Sequence, residues 1–257
     1  MQVASIQVEI REGESKGERL ERVGNLVDAC AGSQLIVLPE IWTTGYFAFD
    51  RYAAESERLN GETVSMLAVK ARSLKAYIVT GSFVERAGNR LYNTTVLLDP
   101  QGREIAVYRK IHLFGYSSEE RKLLTPGNEV VTAGTEFGVV GLATCYDLRF
   151  PELFRKMLDK GVQFILISSA WPYPRLEHWL LFNQVRALEN QCYLISANCA
   201  GKNRGNQFVG HSAVIDPWGV ILAQAGDAQV VLQVEVDPQG VERARVEFPP
   251  VHDRVIF

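Results

Sequence analysis

The sequence predicts an α/β fold of four layers, α-β-β-α, in which two mixed β-sheets pack face to face between outer helices. The first observation is a repeated order of elements: each half of the chain runs strand, helix, strand, helix and then consecutive strands. The second is that residues 35–38 form a continuous apolar run, which is typical of a strand covered on both faces. The third is that the segment at 15–31 is an amphipathic helix, with one face suited to packing on a sheet.

Apolar alternation predicts strands in the first half of the chain, and apolar residues at helical spacing predict helices. The predicted elements are a strand at 2–10, a helix at 15–31, a strand at 35–38, a helix at 62–76 and strands at 77–85, 93–99 and 104–108. Pro39 and Glu40 end the second strand, and the aromatic-rich residues 41–59 are irregular. Residues 109–129 form a long loop, and loops of that length are usually functional or disordered.

The second half repeats the pattern after this loop. Its predicted elements are a strand at 139–144, a helix at 151–160, a strand at 162–169, a helix at 177–190 and strands at 192–197, 209–215, 220–223 and 230–236. Pro151 suits the first turn of its helix, because that turn needs no hydrogen bond from the backbone N–H. The tail, about residues 237–257, shows no clear pattern. Since no linker or low-complexity segment interrupts the chain, we predict a single domain over residues 1–257.

Composition and charge exclude several classes of function. The net charge is −3, with acidic and basic residues mixed and no Lys/Arg run, so we expect neither a nucleic-acid partner nor a membrane partner. No apolar stretch approaches bilayer length, and the first residues lack the pattern of a signal peptide. The four cysteines have no CxxC spacing, which favours a reduced, cytoplasmic setting. The four histidines have no metal-ligand spacing, so we predict no metal site.

Apolar residues in the helix at 151–160 and in the tail indicate a subunit interface. They are Leu153, Phe154, Phe248, Val251, Val255 and Phe257. Exposed apolar patches of this kind usually mark interfaces, and a two-fold dimer is the commonest outcome. We therefore expect a homodimer or a higher homo-oligomer, with the tail at the interface.

Cys145 lies where the strand at 139–144 gives way to a turn and then to a helix. A side chain at such a point is pushed out of the sheet, and the nearby helix N-terminus favours a thiolate. The thiolate is the nucleophilic form, so the position suits a cysteine that attacks a carbonyl carbon. A buried cysteine that serves as a small hydrophobic residue is the alternative.

Three charged residues could serve such a nucleophile. Glu40 directly follows an apolar strand, where a carboxylate beside an apolar wall has a raised pKa and can act as a general base; a solvated loop glutamate is the alternative. Lys110 ends the strand at 104–108 among apolar and aromatic neighbours, where it could stabilise an oxyanion; a solvated strand-end lysine is the alternative. Glu120 in the following loop could hold that lysine in place, unless it forms only a surface salt bridge.

Three segments, LIVLPEIWTTGY, YRKIHLF and GLATCYDLRFPE, together resemble the nitrilase, or carbon-nitrogen hydrolase, superfamily. The resemblance extends to NQVRALENQCYLISAN, GHSAVIDPWG and PPVHDR and so covers essentially the whole chain. It implies the same four-layer sandwich, assembled as dimers. It also implies that Cys145 is the nucleophile, Glu40 the general base and Lys110 the cation beside the oxyanion. The second glutamate of the family precedes a Pro-Gly turn, a place that Glu120 fits better than Glu119.

Within the superfamily, the short chain and the segments CYDLRFPE and WPYPRLEHW look like the ω-amidases that hydrolyse 2-oxoglutaramate. The resemblance implies hydrolysis of a small primary carboxamide through a thioester, with the backbone N–H of Tyr146 at the oxyanion and without a metal or organic cofactor. The loop HLFGYSSEERKLLTPG differs in amino-acid sequence from the corresponding loop of the ω-amidases. A nitrile or an N-carbamoyl amine is the alternative substrate, and a catalytically silent oligomeric protein is the alternative function.

An ω-amide of a keto acid carries a carboxylate at the end remote from the scissile amide. A planar arginine binds such a group bidentately. Arg149, four residues after Cys145, and Arg175, in the segment that begins at Trp171, are the two candidates. Arg149 could instead pair with Asp147 or Glu152. We favour Arg175, because it lies in a proline-stiffened loop, and we place Trp171 at the substrate as well.

Overall fold

The computed structural model describes residues 1–255 of the chain. The first half contains β1 (Gln2–Ile10), α1 (Lys16–Asp28), β2 (Leu35–Val37), α2 (Tyr52–Glu55), α3 (Glu62–Leu74), β3 (Tyr77–Ala87), β4 (Arg90–Leu98) and β5 (Glu104–Arg109). The second half contains α4 (Glu120–Leu123), β6 (Thr132–Thr135), β7 (Gly138–Thr144), α5 (Pro151–Asp159), β8 (Phe164–Ser169), α6 (Leu176–Asn190), β9 (Tyr193–Asn203), β10 (Asn206–Gln207), β11 (Ala213–Ile215), β12 (Ile221–Gln224), β13 (Val230–Glu235) and α7 (Gly240–Glu247).

The strands form two mixed sheets that meet at one edge. In the first sheet the order is β5-β4-β3-β2-β1, with β1, β2 and β3 parallel and β13 antiparallel to β1. In the second the order is β6-β7-β8-β9, with β7, β8 and β9 parallel and the β11–β12 hairpin beyond β9. The sheets join where Val8–Ile10 of β1 pairs in parallel with Cys199–Gly201 of β9. The carboxyl ends of strands from both sheets therefore lie close together.

Alternating side chains divide the core into three apolar layers. On β2, Ile36 packs with α1 and α3, whereas Leu35 and Val37 pack between the sheets. On β8, residues of one parity pack between the sheets and those of the other parity, such as Ile165, pack with α5 and α6. Because each sheet is covered by helices on one face and by the other sheet on its second face, the predicted α-β-β-α sandwich is confirmed.

The helices begin and end at positions that satisfy their backbone groups. At the start of α1, Ser15 Oγ accepts from the Glu18 N–H at 3.3 Å and Glu18 Oε2 accepts from the Ser15 N–H at 2.8 Å, which is a capping box. Helix α5 starts with Pro151 in its first turn. Helix α3 ends at Lys75, whose backbone adopts the left-handed conformation at φ 53°.

Several sequence predictions need correction. Helix α7 lies in the tail that was predicted to be without pattern, because Val241 and Ala244 are buried one turn apart. Helix α4 lies within residues 109–129, which were predicted as a long loop, and the unpredicted strand β6 follows this stretch. The strand predicted at 209–215 begins only at Ala213, while β9 extends to Asn203.

The prediction that apolar residues of the helix at 151–160 are exposed at a subunit interface was wrong. Leu153 and Phe154 are buried under α6, so this helix offers no apolar surface through them. Phe248 and Val255 are exposed in the tail, and Phe257 lies outside the described residues. Within residues 1–255, no helix has the length and apolar character needed to cross a bilayer.

Candidate active site

Glu40 lies at the carboxyl end of β2, where the two sheets approach each other. Its side chain is completely buried, and its Oε2 accepts from the Ala170 N–H, just beyond β8, at 2.9 Å. Its own N–H donates to the Ser169 carbonyl at 3.2 Å. The interpretation of Glu40 as a solvated loop residue is therefore excluded, because it is buried and backbone groups at the end of β8, in the second sheet, hold it in the interior.

Lys110 follows β5 and joins two buried carboxylates. Its Nζ donates to Glu40 Oε1 at 2.7 Å and to Glu120 Oε1 and Oε2 at 3.0 and 3.1 Å. All three side chains are fully buried. Glu120 takes the place predicted for a second glutamate, whereas Glu119 is exposed and pairs with Lys122 on the surface.

Further contacts fix Glu120, the first residue of the short helix α4. Its Oε2 accepts from the Phe114 N–H at 2.7 Å and from the Tyr46 hydroxyl at 3.1 Å. The Tyr46 hydroxyl in turn lies 3.2 Å from Ser118 Oγ. These neutral donors stabilise the ionised carboxylate and fix it in the position from which it binds Lys110.

Asn93 on β4 was not predicted as a site residue. Its Nδ2 lies 2.8 Å from Glu40 Oε1 and 2.8 Å from Glu120 Oε1, and its side chain is buried. Its sequence signal is an amide on β4 that lies an even number of residues from Leu97, on the side of the strand that packs between the sheets. The buried cluster thus comprises two carboxylates, one ammonium and one neutral amide.

Cys145 begins a 3₁₀ turn, Cys145–Arg149, directly after β7. Its φ is 47°, a region that non-glycine residues rarely adopt and that is held only where the surroundings enforce it. The side chain is 8% exposed and lines a pocket. The sharp turn therefore brings the thiol to the edge of the buried cluster and leaves it accessible from one side.

The electrostatics differ from the prediction that the helix N-terminus favours a thiolate. Burial raises the pKa of the Cys145 thiol, the charge of Glu40 raises it further, and Lys110 opposes this only in part. Burial also raises the pKa of Glu40, with Glu120 acting in the same direction and Lys110 against it. Cys145 therefore rests as a thiol beside a carboxyl group that has an increased affinity for a proton.

Lys110 remains charged in this environment. Burial favours its neutral form, but the charges of Glu120 and Glu40 outweigh burial and raise the pKa of Lys110 well above its ordinary value. A fixed cation at this point can stabilise negative charge that develops beside Cys145.

Asp147 braces the turn that carries Cys145. Its Oδ2 accepts from the Thr144 N–H at 2.8 Å and from the Tyr108 hydroxyl at 2.6 Å, and its Oδ1 lies 2.7 Å from His112 Nδ1. Tyr108 lies on β5 and His112 just beyond it, on either side of Lys110. Asp147 thus ties the turn of the cysteine to the segment of the lysine.

The pocket above Cys145 is open on one side, and the empty space in and in front of it amounts to about 330 Å³. Its other lining residues are Tyr46, Phe114, Tyr146, Arg149, Ala170, Trp171, Pro172 and Arg175. The predicted substrate-side residues therefore lie together around one opening. Half of these eight residues are aromatic, and the two arginines supply positive charge.

Neither arginine of the pocket forms an ion pair with a carboxylate within residues 1–255. The Arg149 guanidinium lies 4.9 Å from the Trp171 ring centroid and donates to His178 Nδ1 at 3.2 Å. The pairing of Arg149 with Asp147 or Glu152, considered from the sequence, does not occur. The Arg175 guanidinium lies over the rings of Phe114 and Tyr116, at 5.9 and 5.7 Å.

Comparisons with known proteins agree with this arrangement. The carbon-nitrogen hydrolase family model matches residues 2–246. The chain is 37% identical to the 2-oxoglutaramate amidase of Paenarthrobacter nicotinovorans, covering 99% of this chain and 89% of that protein. It is 39% identical to the 2-oxoglutaramate amidase of Bacillus subtilis strain 168, covering 86% and 85%. The crystal structure of Saccharomyces cerevisiae Nit3, a member of branch 10 of the nitrilase superfamily, superposes with a TM-score of 0.91 at 30% identity, covering 100% of this chain and 97% of that one.

Proposed function

This chain belongs to the carbon-nitrogen hydrolase family, and we propose that it is an ω-amidase that hydrolyses 2-oxoglutaramate to the acid and ammonia. The observation that carries the proposal is the composition of one pocket. Cys145 lies at its base beside the buried carboxylate of Glu40, and two arginines without carboxylate partners line the same space. The names of the two bacterial relatives support the same substrate.

The first step transfers a proton from the Cys145 thiol to Glu40. Burial opposes a free thiolate, so the proton leaves as the sulfur attacks the amide carbon. The raised pKa of Glu40 suits a carboxylate that accepts a proton near neutral pH. A C–S bond forms while the carbonyl π electrons move to oxygen, and the product is a tetrahedral oxyanion.

Lys110 and the Tyr146 backbone stabilise that oxyanion. An ammonium has three N–H donors. Glu40 takes one of them and the two oxygens of Glu120, at 3.0 and 3.1 Å, share a second, which leaves one for the oxyanion. As the second residue of the 3₁₀ turn, Tyr146 has an N–H outside the i→i+3 hydrogen-bond pattern, so it is available as the second donor.

Ammonia leaves when Glu40 returns its proton to the amide nitrogen and the C–N bond breaks, giving a Cys145 thioester. Glu40 then takes a proton from water as the water oxygen attacks the thioester carbon. Collapse of the second oxyanion breaks the C–S bond, and the proton on Glu40 returns to sulfur. Every proton is accounted for by Glu40, so we propose that no metal or organic cofactor takes part.

Arg175 and Arg149 bind the carboxylate at the far end of the substrate. A guanidinium that lies against aromatic rings with no acidic partner retains its donors for a ligand. Trp171 and Tyr146 line the same pocket and supply apolar surface for the carbon chain of the substrate. An acidic ω-amide therefore fits the pocket better than a neutral amide does.

The four cysteines carry no disulfide, which supports our proposal of a cytoplasmic enzyme. Ammonia release from 2-oxoglutaramate, neutral primary amides, nitriles and N-carbamoyl amines tests the function. We expect 2-oxoglutaramate to give the highest kcat/KM. Preference for a nitrile or an N-carbamoyl amine would assign the chain to another reaction of the family, and no turnover with any of them would support a catalytically silent protein.

A further inference from the structure

Asn93 contacts the two oxygen atoms that Lys110 also binds. Asn93 Nδ2 lies 2.8 Å from Glu40 Oε1 and 2.8 Å from Glu120 Oε1, and Lys110 Nζ lies 2.7 and 3.0 Å from the same atoms. Each of these oxygens thus accepts one hydrogen bond from a cation and one from a neutral amide. Asn93 is the only neutral side chain within residues 1–255 that bridges the two carboxylates.

The chemistry of the amide fixes which way it faces. An ionised carboxylate can only accept hydrogen bonds, and an asparagine amide nitrogen has two N–H donors. Both donors of Asn93 are therefore used, one for each carboxylate. Its Oδ1 is buried without a hydrogen-bond partner in the described part of the chain. The contacts of Asn93 are concentrated on its nitrogen, where the two glutamates lie.

These contacts distinguish the two oxygens of Glu40. Oε1 accepts from Lys110 and from Asn93, so both of its lone pairs are occupied. Within residues 1–255, Oε2 accepts from a single N–H group, that of Ala170, so one lone pair remains for a proton from Cys145. The carboxylate can therefore act as a base only through Oε2.

We propose that Asn93 is a positioning residue that directs the free lone pair of Glu40 Oε2 toward Cys145 and keeps the two glutamates ionised beside one lysine. This inference rests on the proposed role of Glu40 as the base. A neutral donor suits the position because it lowers the repulsion between the carboxylates without adding charge. A second cation would weaken Glu40 as a base, whereas a third carboxylate would increase the repulsion.

Removal of Asn93 should raise the proton affinity of Glu40. Hydrogen bonds to an ionised carboxylate favour that form, so their loss shifts the pKa of the group upward. The titratable groups that lie around Glu40 and enter this balance are Lys110, Glu120, Cys145, Tyr46, Tyr52 and Cys199. Because the thiol passes its proton to Glu40 in the proposed mechanism, the measured pH midpoint is assigned to the pair and not to either group alone.

The test is the pH dependence of Cys145 alkylation by iodoacetamide, read by mass spectrometry, in the wild type and in Asn93→Leu and Asn93→Ser. The leucine has a similar volume and no donor, while the serine keeps one. We expect the acid limb of the alkylation rate to move up by about one pH unit in Asn93→Leu and by less in Asn93→Ser. With an amide substrate, kcat should fall roughly tenfold to a hundredfold while KM changes little, since the reacting groups and not the pocket are affected.

Thr95→Val is the matched control. Thr95 lies two residues along β4, is equally buried, and its Oγ1 has no hydrogen-bond partner within residues 1–255. We expect the wild-type pH profile in this variant. Circular dichroism establishes which Asn93 variant is folded. The fraction of Cys145 that becomes alkylated gives the fraction of molecules whose thiol can react. An acid limb at the wild-type pH in a folded Asn93 variant overturns the proposal. Because alkylation needs no substrate, a wrong substrate assignment would appear only in the ammonia assay and leave this result intact.

Discussion

The Lys110 ammonium donates to Glu40 Oε1 at 2.7 Å, and neither side chain is exposed to solvent. Glu120 binds the same ammonium, so one buried cation balances two buried carboxylates. Such a cluster is costly to disrupt, because removal of one partner leaves charge uncompensated in the interior. The cluster therefore contributes both to the proposed chemistry and to the stability of the junction between the sheets.

Lys110→Ala should lower both activity and stability. We expect kcat to fall by about a hundredfold or more through loss of oxyanion stabilisation. The free energy of unfolding should fall by about 3–5 kcal/mol, because two carboxylates then lack a cation. Urea denaturation and ammonia release measure the two effects. Lys122→Ala is the control, since that lysine forms only an exposed pair with Glu119, and it should change neither quantity. A folded Lys110→Ala protein with near-normal kcat would contradict the proposed role.

The pH profile of kcat/KM should have an acid limb set by Glu40. Burial raises the pKa of this carboxyl group, so it becomes protonated at a higher pH than a free glutamate does, and the base is lost as the pH falls through that raised value. We expect the midpoint to lie clearly above about 4.3, the ordinary value for glutamate. Glu40→Gln should lose about a hundredfold or more in kcat. The exposed Glu119→Gln is the control and should keep the wild-type profile. A midpoint at or below the ordinary value would show that another group controls the limb.

Iodoacetamide should label Cys145 much faster than the other three cysteines. Cys30, Cys192 and Cys199 are completely buried, whereas Cys145 lines the pocket beside a base. Burial raises the pKa of Cys30 and of Cys192, as it does that of Cys145, so the difference in labelling rests on access from the pocket and on the neighbouring Glu40. Peptide mass spectrometry over a time course measures the four rates. Cys145→Ala should remain folded, resist labelling and show no turnover; full activity in that variant would refute the thioester mechanism.

The positions of three site residues could be predicted because each follows a strand. Glu40, Lys110 and Cys145 each come within a few residues of the end of a strand, β2, β5 or β7, and the ends of these strands lie close together. Asn93 gave a weaker signal, since it lies inside a strand and its partners are far away in sequence. The raised pKa of the Cys145 thiol could not be predicted either, because it depends on how deeply the two sheets bury the turn.

The outer helix α7 escaped prediction for a different reason. Its buried face consists of only two residues, Val241 and Ala244, so the apolar period is too short to recognise. Burial of Leu153 and Phe154 was likewise invisible, since an apolar helix face can pack on its own sheet or on a partner. Only the placement of α6 against α5 decides this.

We propose that the exposed face of α6 takes part in a homodimer. Leu181, Val185 and Leu188 lie on one side of this helix and are 60%, 40% and 51% exposed. Leu181→Glu should shift the mass in light scattering at micromolar concentration toward the monomer, because it places a charge in an apolar contact. Val69→Glu is the matched control, since Val69 is 54% exposed on α3, against the other sheet. A strictly monomeric wild-type protein would refute the proposal, and an unchanged mass in Leu181→Glu would place the interface elsewhere, with the tail as the next surface to vary.

Arg175 should distinguish acidic amides from neutral ones. Its guanidinium lies over two aromatic rings at the pocket that contains Cys145, and no carboxylate of residues 1–255 pairs with it. Loss of a charged hydrogen bond costs about 1.5–3 kcal/mol, so Arg175→Ala should raise KM for 2-oxoglutaramate by roughly tenfold or more. A neutral amide of the same length should show little change, because it has no group for the arginine to bind.

Two further variants distinguish the loss of an arginine that lines the pocket from the loss of an arginine elsewhere on the surface. Arg149→Ala removes the second guanidinium of the same pocket, and burial together with the charge of Arg175 already lowers the pKa of Arg149. If both arginines hold one carboxylate, each single variant raises KM for the acidic amide and the double variant adds little beyond the larger effect. Arg121→Ala removes an exposed arginine that does not line this pocket and should leave KM unchanged. Equal losses for acidic and neutral amides in Arg175→Ala would exclude it as the partner of the carboxylate. A wild-type preference for neutral amides would refute the ω-amidase assignment and leave a broader amidase.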